Sequence, residues 1–308
     1  MADRLANLRV VDPVLTELAR GYSNTELVGD ALMPIAMMEK EAGKIPQFGK
    51  EAFKLYNTER AIRARSNRVS PEAIGTIDVA LDEHDLEYPI DYREDQEAMF
   101  PLQSHAATVT KSGVMLRREK MIADLCQTAG NYPAGSKVTL AGTSQFSNAA
   151  SDPVAVIEAA KEAVRGKIAH RPNTMVMGAA TFSVLKTNPK MVESIKYSMK
   201  GIITLDLMKE LFGIANIVVG EAVWSSDTGT FADIWGDNVI LAYVPGVQSN
   251  AERSLYEPSF GYTLRKRGQP MVDTYTEGNK LQLIRYTDIF KPVMVGAEAG
   301  YLISDTNA

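Results

Sequence analysis

The sequence has very few of the residues from which cross-links, metal sites and catalytic groups are built. Of its 308 residues, Cys126 is the single cysteine and three are histidine. A lone cysteine excludes a disulfide within the chain, and we interpret Cys126, in the helical segment IADLCQ, as a buried thiol. His84, His105 and His170 lack the paired spacing of a metal site or a catalytic triad. We therefore expect no metal, no cofactor and no catalytic residue.

The chain also lacks a long apolar segment and an excess of basic charge. No apolar run approaches the roughly 20 residues that cross a bilayer, and the opening MADRLANLRV has no signal-peptide pattern. We expect neither membrane insertion nor secretion. The formal net charge of −5 argues against a protein that coats nucleic acid, because such binding uses many lysine and arginine contacts. Any contact with DNA is expected to be weak and non-specific.

What is present is the composition of an ordered protein with about two compact units. Apolar residues make up 45% of the chain and charged residues 23%, which is typical of a folded protein. Residues 1–43 predict an extended arm with one short helix in VLTELARGY and another from about Glu26. The second helix must end before Pro34, which cannot stand inside a helix.

Alternation of apolar and polar residues over 44–82 predicts a long two-stranded hairpin. Its tip, ERAIRARSNRVSPEA, has too few apolar residues to pack by itself. Four arginines stand in this tip: Arg60, Arg63, Arg65 and Arg68. Because an isolated hairpin is marginally stable in water, this one requires a surface to lie on, and we expect that surface to belong to another subunit.

An acidic stretch and a long helix follow the hairpin. Residues 82–97 contain eight acidic residues and alternate in the manner of a strand, which Pro89 places at a sheet edge. Helical spacing of apolar residues then predicts a helix from about Pro101 to Gln127. We interpret the carboxylates as a solvated or partner-facing edge, since no aromatic sugar platform or metal-binding motif accompanies them.

Helices and strands alternate over the central part of the chain and predict a compact α/β lobe. The predicted helices include one that starts at Asp152-Pro153 and the segment TLDLMKELFGI, and the predicted strands include TMVMGA, NIVVGEAVW and DNVILAYV. Toward the end of the chain, GYTLRKR, KLQLIRY and KPVMVGAEAGYLI have β character. The whole pattern indicates an α+β protein.

Three stretches of the sequence carry a resemblance to a known family. They are VDPVLTELARGYSNTELVGDALMPIAMMEKEAGKIPQFG, VMLRREKMIADL and ITLDLMKELFGIANIVVGEAVW. In this order, and with the elements above, the chain resembles the major capsid protein of tailed bacteriophages with the Hong Kong 97-type α+β fold. The resemblance implies an N-terminal arm over 1–43, an extended loop over 44–82, a peripheral domain with a spine helix over 83–140, an axial domain over 141–285, and C-terminal strands over 286–308 that return to the peripheral domain.

In such shells the extended loop lies across the peripheral domain of a neighbouring subunit. The resemblance therefore suggests that the four tip arginines face acidic residues of the next copy, namely Asp91, Glu94, Asp95 and Glu97. A tip that arginines merely keep soluble is the alternative, because exposed ion pairs often contribute little. The resemblance also implies self-contact around five-fold and six-fold axes through the axial lobe, including its loops around Trp224 and Trp235.

The resemblance implies a subunit that assembles with itself, as hexamers and pentamers, into the icosahedral shell of a virion. Assembly would take place in the bacterial host cytoplasm, and the shell would enclose double-stranded DNA. A separate scaffolding protein, a portal and decoration proteins are further partners that it suggests. An encapsulin-type nanocompartment shell is the alternative within the same fold; a tail or minor head protein and a soluble α/β enzyme are the others.

Overall fold

The computed structural model of the chain describes most of the sequence after residue 26. The described ranges are 27–47, 54–63, 65–69, 75–99, 101–195, 203–226, 229–245, 259–278 and 280–308. The helix predicted in VLTELARGY therefore lies outside the described residues. The second predicted helix is confirmed, since it spans Gly29–Leu32 and ends before Pro34.

Seven helices and fourteen strands lie within the described ranges. The helices are α1 (Gly29–Leu32), α2 (Tyr92–Glu97), α3 (Leu102–Gln127), α4 (Pro153–Ile168), α5 (Ala179–Thr187), α6 (Pro189–Ile195) and α7 (Leu205–Phe212). The strands are β1 (Ile35–Met38), β2 (Ala42–Gln47), β3 (Gly75–Ala80), β4 (Asp82–Asp91), β5 (Lys137–Thr139), β6 (Thr174–Gly178), β7 (Asn216–Gly220), β8 (Val223–Ser225), β9 (Phe231–Asp233), β10 (Val239–Ala242), β11 (Gly261–Lys266), β12 (Met271–Glu277), β13 (Leu281–Met294) and β14 (Gly300–Ser304).

The hairpin predicted over 44–82 has a regular base and an irregular tip. Strands β2 and β3 pair antiparallel at the base, where Ile45 and Val79 are buried in a cluster with Tyr262 of β11. The described residues of 54–69 form no strand. Among the described residues of the hairpin, strands are therefore found at the base, where it packs against the rest of the subunit.

Five strands form a sheet that we call sheet A. Strand β4 pairs antiparallel with residues 281–290 of β13, and β12 pairs with residues 281–287, so β4 and β12 lie on opposite edges of β13. Strand β11 pairs with the remaining end of β13, and β1 adds to β11 in parallel. Among the described strands β4 pairs with β13 alone, which agrees with the edge position predicted from Pro89, because proline has no N–H for a further strand.

The long helix α3 joins sheet A to the second lobe through a buried stripe that winds around it. Its buried positions recur at every fourth residue, at Leu102, Ala106, Thr110, Val114, Arg118, Ile122 and Cys126. Each step of four residues advances about 40° beyond a full helical turn, so the stripe rotates by roughly 240° over its length. The N-terminal half of α3 consequently packs on sheet A beside Ile284, whereas the C-terminal half packs on the second lobe beside Ile240.

The second lobe is built on sheet B, whose strand order is β5-β14-β10-β6-β7. All five residues of β6 are buried, because both faces of the sheet are covered. Met175 and Met177 pack in the cluster that includes Ile157 of α4 and Phe212 of α7. Val176 packs on the other face, in the cluster that includes the end of α3. This confirms the predicted α/β lobe and explains why TMVMGA is apolar at every position except its first residue and its glycine.

The strand pairing crosses two of the predicted domain boundaries. Strands β11 and β12 lie within 141–285, the range predicted for the axial domain, yet both pair with β13 in sheet A. Strand β14 lies within 286–308, predicted to return to the peripheral domain, yet it stands between β5 and β10 in sheet B. Pairing partners distant in sequence decide both outcomes, and the apolar pattern of a strand does not specify its neighbours.

Candidate assembly surfaces

The hairpin tip is exposed along its whole described length. None of the described side chains from 54 to 69 is buried, and Leu55 and Ile62 are 98% and 93% exposed. The predicted arginines all lie in this exposed tip, at Arg60, Arg63, Arg65 and Arg68. The tip therefore presents both cationic and large apolar side chains to its surroundings.

Asn67 gives the tip a defined shape. Its side-chain Nδ2 donates hydrogen bonds to the backbone oxygen of Asn57 at 2.7 Å and to that of Glu59 at 3.0 Å. The backbone N–H of Glu59 also donates to Oδ1 of Asn57 at 3.1 Å. One amide group thus joins the outgoing and returning limbs of the tip and closes the loop that carries Arg60, Ile62 and Arg63.

The four predicted acidic partners lie at the end of β4 and in α2. The Asp91 carboxylate accepts a hydrogen bond from the N–H of Arg93 at 2.9 Å, and the Glu94 carboxylate accepts one from the N–H of Asp91 at 3.5 Å. This reciprocal capping box begins α2. Asp95 and Glu97 are exposed and have no part in the cap.

Helix α2 has no buried residue. Tyr92 at its start is 43% exposed and Met99, just beyond its end, is 61% exposed. Six-residue helices are marginal in water without packing, and the capping box is the local feature that supports this one. The segment 91–99 is consequently an acidic surface with apolar side chains on it.

Some of the acidic residues predicted for β4 are neutralised within the subunit. Arg285 of β13 stands opposite both Glu87 and Asp273 in the register of sheet A. It binds the Asp273 carboxylate at 2.6 Å and lies 3.8 Å from that of Glu87, to which the hydroxyl of Tyr275 donates at 2.7 Å. The hydrogen bond from Arg285 lowers the pKa of Asp273.

A buried carboxylate, which the sequence analysis missed, joins the arm, helix α3 and the loop between β9 and β10. Glu119 of α3 is 3% exposed. It accepts hydrogen bonds from the N–H groups of Val28 and Gly29 at 2.8 and 2.9 Å and from Nε1 of Trp235 at 2.8 Å. Burial raises the pKa of Glu119, and these hydrogen bonds act in the opposite direction. The available signal was its place three residues before Ile122, on the apolar side of the helix.

The same contact buries the side chain of Trp235, whose loop was predicted to meet other copies. Its side chain is 1% exposed, and a Cβ placed on Gly220 would lie 2.1 Å from the indole ring. Gln127 donates to the backbone oxygen of Ile234 at 2.8 Å, which fixes the same loop on α3. The Trp235 side chain is therefore an internal packing residue, and contact of its loop with another copy is still a prediction.

A second buried polar group lies between sheet A and α3. Arg265 binds Asp288 at 2.7 Å, and both side chains are less than a tenth exposed. His84 stands opposite Asp288 in the register of β4 and β13, and its ring stacks on Phe290 with a centroid separation of 4.4 Å. Burial raises the pKa of Asp288 and lowers the pKa of His84. His84 therefore lies in strand β4, opposite β13.

Groups that typically carry chemistry are dispersed or paired in the described part of the chain. Cys126 is buried, and burial raises the pKa of its thiol. Across the described ranges no three histidine, cysteine or acidic residues are grouped to hold a metal ion. An open groove beside β3 and β13 is lined mainly by apolar residues, and its two charged residues, Asp78 and Lys291, are bound to Lys44 and Asp82.

No helix in the described ranges is both long enough and apolar enough to cross a membrane.

Comparisons with known proteins agree on one class of protein. The family model described as phage major capsid protein E matches residues 31–307. The chain is 59% identical over 304 residues, 99% of each chain, to the major capsid protein of Burkholderia phage BcepMu. It is 36% identical to a phage-related protein from Bordetella bronchiseptica RB50, whose crystal structure superposes with a TM-score of 0.75 and a coverage of 97% of this chain and 98% of that one.

More distant structures show the same fold. The capsid of cyanophage P-SCSP1u is 10% identical and superposes with a TM-score of 0.58 over 94% of this chain and 90% of that one. At such low identity the likeness concerns the fold alone, and that fold is an α+β capsid fold. Together with the family match over nine tenths of its length, these similarities show that the chain belongs to the phage major capsid protein E family and is a major capsid protein of a phage.

Proposed function

We propose that copies of this chain close into an icosahedral shell around the double-stranded DNA of a tailed phage, as hexamers and pentamers. The observation that carries the proposal is a hairpin tip with exposed arginines and exposed apolar side chains in a subunit of a capsid family. A monomeric protein rarely leaves such a segment uncovered. Repetition of modest contacts between many copies makes a stable shell from weak single contacts.

The proposed division of the subunit follows the Hong Kong 97-type plan, with the two domains drawn around the two sheets. Residues 1–43 form the arm and 44–82 the extended loop. Sheet A with α2 and α3 forms the peripheral domain, and sheet B with α4 to α7 forms the axial domain. Support comes from α3, whose winding stripe joins two separately packed sheets.

Within this shell, the tip arginines of one copy face the acidic segment of the next. The pairs proposed are Arg60, Arg63, Arg65 and Arg68 against Asp91, Glu94, Asp95 and Glu97. Asp95 and Glu97 are proposed as the main receptors, because both are exposed, whereas Asp91 and Glu94 are half-buried and cap α2. Exposed pairs of this kind contribute about 0.2 to 1 kcal/mol each and chiefly steer docking and set register.

Charge reversal tests this contact. Arg63→Glu with Arg65→Glu should lower the yield of assembled particles at low salt, and adding Asp95→Lys with Glu97→Lys should restore part of it. Lys190→Glu, at an exposed position of α6, is the control. Unchanged yield and unchanged salt tolerance in the double arginine variant would refute the ion pairs.

Negative-stain microscopy of the purified chain tests the shell itself. Closed shells, tubes or sheets are the expected result, and dispersed small particles under every assembly condition would refute it. DNA that co-purifies with the shells would favour a genome container, and a packaged enzyme would favour an encapsulin-type compartment. A chain that stays monomeric at all salt concentrations in size-exclusion chromatography would instead favour the alternative of a soluble enzyme.

The proposal extends to partners and place of assembly. A separate scaffolding protein, a portal and decoration proteins would complete the virion, and assembly would take place in the host cytoplasm. The contact with DNA is proposed to be weak and non-specific, in keeping with the net charge of −5.

A further inference from the structure

Three apolar side chains in the described part of the hairpin tip are largely exposed. Leu55 and Ile62 are 98% and 93% exposed, and Val69 is 58% exposed. An exposed leucine by itself is ordinary, but three such residues on one short loop that also bears four arginines are not. Full burial of a leucine or isoleucine side chain is among the larger favourable contributions available to one residue at an interface.

The tip is already shaped for contact. The two hydrogen bonds from Asn67 to the opposite limb hold the loop closed before any partner is present. A preformed loop loses less conformational entropy on docking than an open one. Ile62 is therefore presented by a closed loop, and Leu55 and Val69 flank that loop on its two limbs.

The segment 91–99 is the complementary surface. It is a capped helix without a buried residue, and it exposes Tyr92 and Met99 beside its carboxylates. The described tip has five cationic residues and one acidic residue, whereas 91–99 has four acidic residues and one arginine. Each surface thus pairs apolar side chains with a charge opposite to that of the other.

We infer that Leu55 and Ile62 of one copy are the anchors of docking and that they pack on Tyr92 and Met99 of a second copy, while the arginines only steer the approach. This inference rests on the proposed assembly. It deepens that assembly by assigning most of the binding energy of the contact to apolar residues. Asn67 is the positioning residue for Ile62, which lies in the loop that it closes.

Replacing the anchors separates this inference from the ion pairs. Leu55→Ser with Ile62→Ser should raise the critical subunit concentration for assembly about tenfold or more, by a factor that hardly changes with salt. The Arg63→Glu and Arg65→Glu effect should shrink as salt rises. Val192→Ser, at a 48% exposed position of α6, is the matched control, and circular dichroism checks that each variant is folded.

A cross-link tests the location without removing apolar surface. Ile62→Cys with Met99→Cys should give a ladder of linked chains on a non-reducing gel after oxidation of assembled shells, because each copy would link to the next. Ile62→Cys alone and Ile62→Cys with Val192→Cys should give no ladder; the native Cys126 is buried.

The outcomes distinguish the two proposals. If the wild-type chain forms shells and the variant with Leu55→Ser and Ile62→Ser assembles as well as Val192→Ser, the inference is overturned, whereas the proposed shell is not. A link within one chain, or an equal ladder with Val192→Cys, would overturn the location. Failure of the wild-type chain to form any shell would instead overturn the proposed function on which the inference depends.

Discussion

The hairpin tip and the contact of Glu119 with Val28, Gly29 and Trp235, which we call the joint, use the same kinds of residue in opposite ways. At the tip, charged and apolar side chains are exposed together, and the side-chain amide of Asn67 closes the loop through two hydrogen bonds. At the joint, a carboxylate is buried among apolar residues, and N–H groups from two other parts of the chain satisfy it. The tip is organised for a partner, and the joint is organised for the subunit.

This difference predicts where substitutions will act. An unsatisfied group inside a protein costs far more than the loss of an exposed contact, so changes at the joint should alter the stability of the isolated subunit. Changes at the tip should leave that stability nearly unchanged and should alter assembly. A large effect of tip substitutions on the stability of the subunit, or no effect of joint substitutions, would contradict this distinction.

Removal of the buried carboxylate should have the largest effect. Glu119→Ala leaves the N–H groups of Val28, Gly29 and Trp235 without an acceptor and opens a cavity, so we expect a loss of about 3 kcal/mol or more in the free energy of unfolding. Urea denaturation followed by tryptophan fluorescence measures it. Glu210→Ala, at an exposed position of α7, is the control and should change stability by less than about 0.5 kcal/mol.

Two glycine substitutions, one at the joint and one outside it, should change the stability of the subunit in opposite directions. Gly220→Ala places a Cβ 2.1 Å from the ring of Trp235 and should cost about 1 to 3 kcal/mol through overpacking. Gly166→Ala lies within α4, where a Cβ meets nothing within 4 Å, and should stabilise the subunit by roughly 0.5 to 1 kcal/mol. Thermal unfolding compares the two variants, and equal shifts would contradict the tight packing at Trp235.

His84→Gln should change how stability depends on pH, by about 1 kcal/mol or less. Burial lowers the pKa of His84 below its usual 6.5, so the unfolded chain takes up the proton first, and the folded state loses stability as pH falls through 6.5. Asp82 and Asp288 facing the ring oppose this shift, and Arg117 adds to it.

The comparison of His84→Gln with the wild type isolates this contribution. Asp288 itself acts in the opposite sense, because its raised pKa favours the folded state as pH falls. Urea unfolding at several pH values from about 7.5 to about 5.5, the range in which a histidine side chain changes its charge, provides the measurement. A variant that loses stability as steeply as the wild type would show that His84 contributes nothing.

Removing the Asn67 hydrogen bonds that close the hairpin tip should have the smallest effect on the stability of the subunit. Asn67→Ala removes two exposed hydrogen bonds, so we expect a change of less than about 0.5 kcal/mol in the free energy of unfolding. Trypsin cleavage after Arg60 or Arg63 should nevertheless become several-fold faster, because the loop is no longer held closed. Asn148→Ala, whose side-chain oxygen accepts from the N–H of Ala150 in another loop, is the control for a lost local hydrogen bond.

The sequence by itself determined the local structure of this protein. The helix over Leu102–Gln127, the end of α1 before Pro34 and the apolar strands of sheet B are all fixed by propensity, proline geometry and period. It also placed four arginines on a hairpin tip and eight acidic residues over 82–97. The role of these charges between subunits is still a prediction, because one chain contains only half of the contact.

Only the tertiary structure decided which distant segments meet. It placed β14 in sheet B and β12 in sheet A, it buried Trp235, and it gave Glu119 its three donors. It also revealed that Leu55 and Ile62 find no core, which their apolar character alone would not suggest. The physical reason is that period and propensity act over a few residues, whereas strand partners and the satisfaction of a buried carboxylate depend on groups about 90 to 120 residues away in sequence.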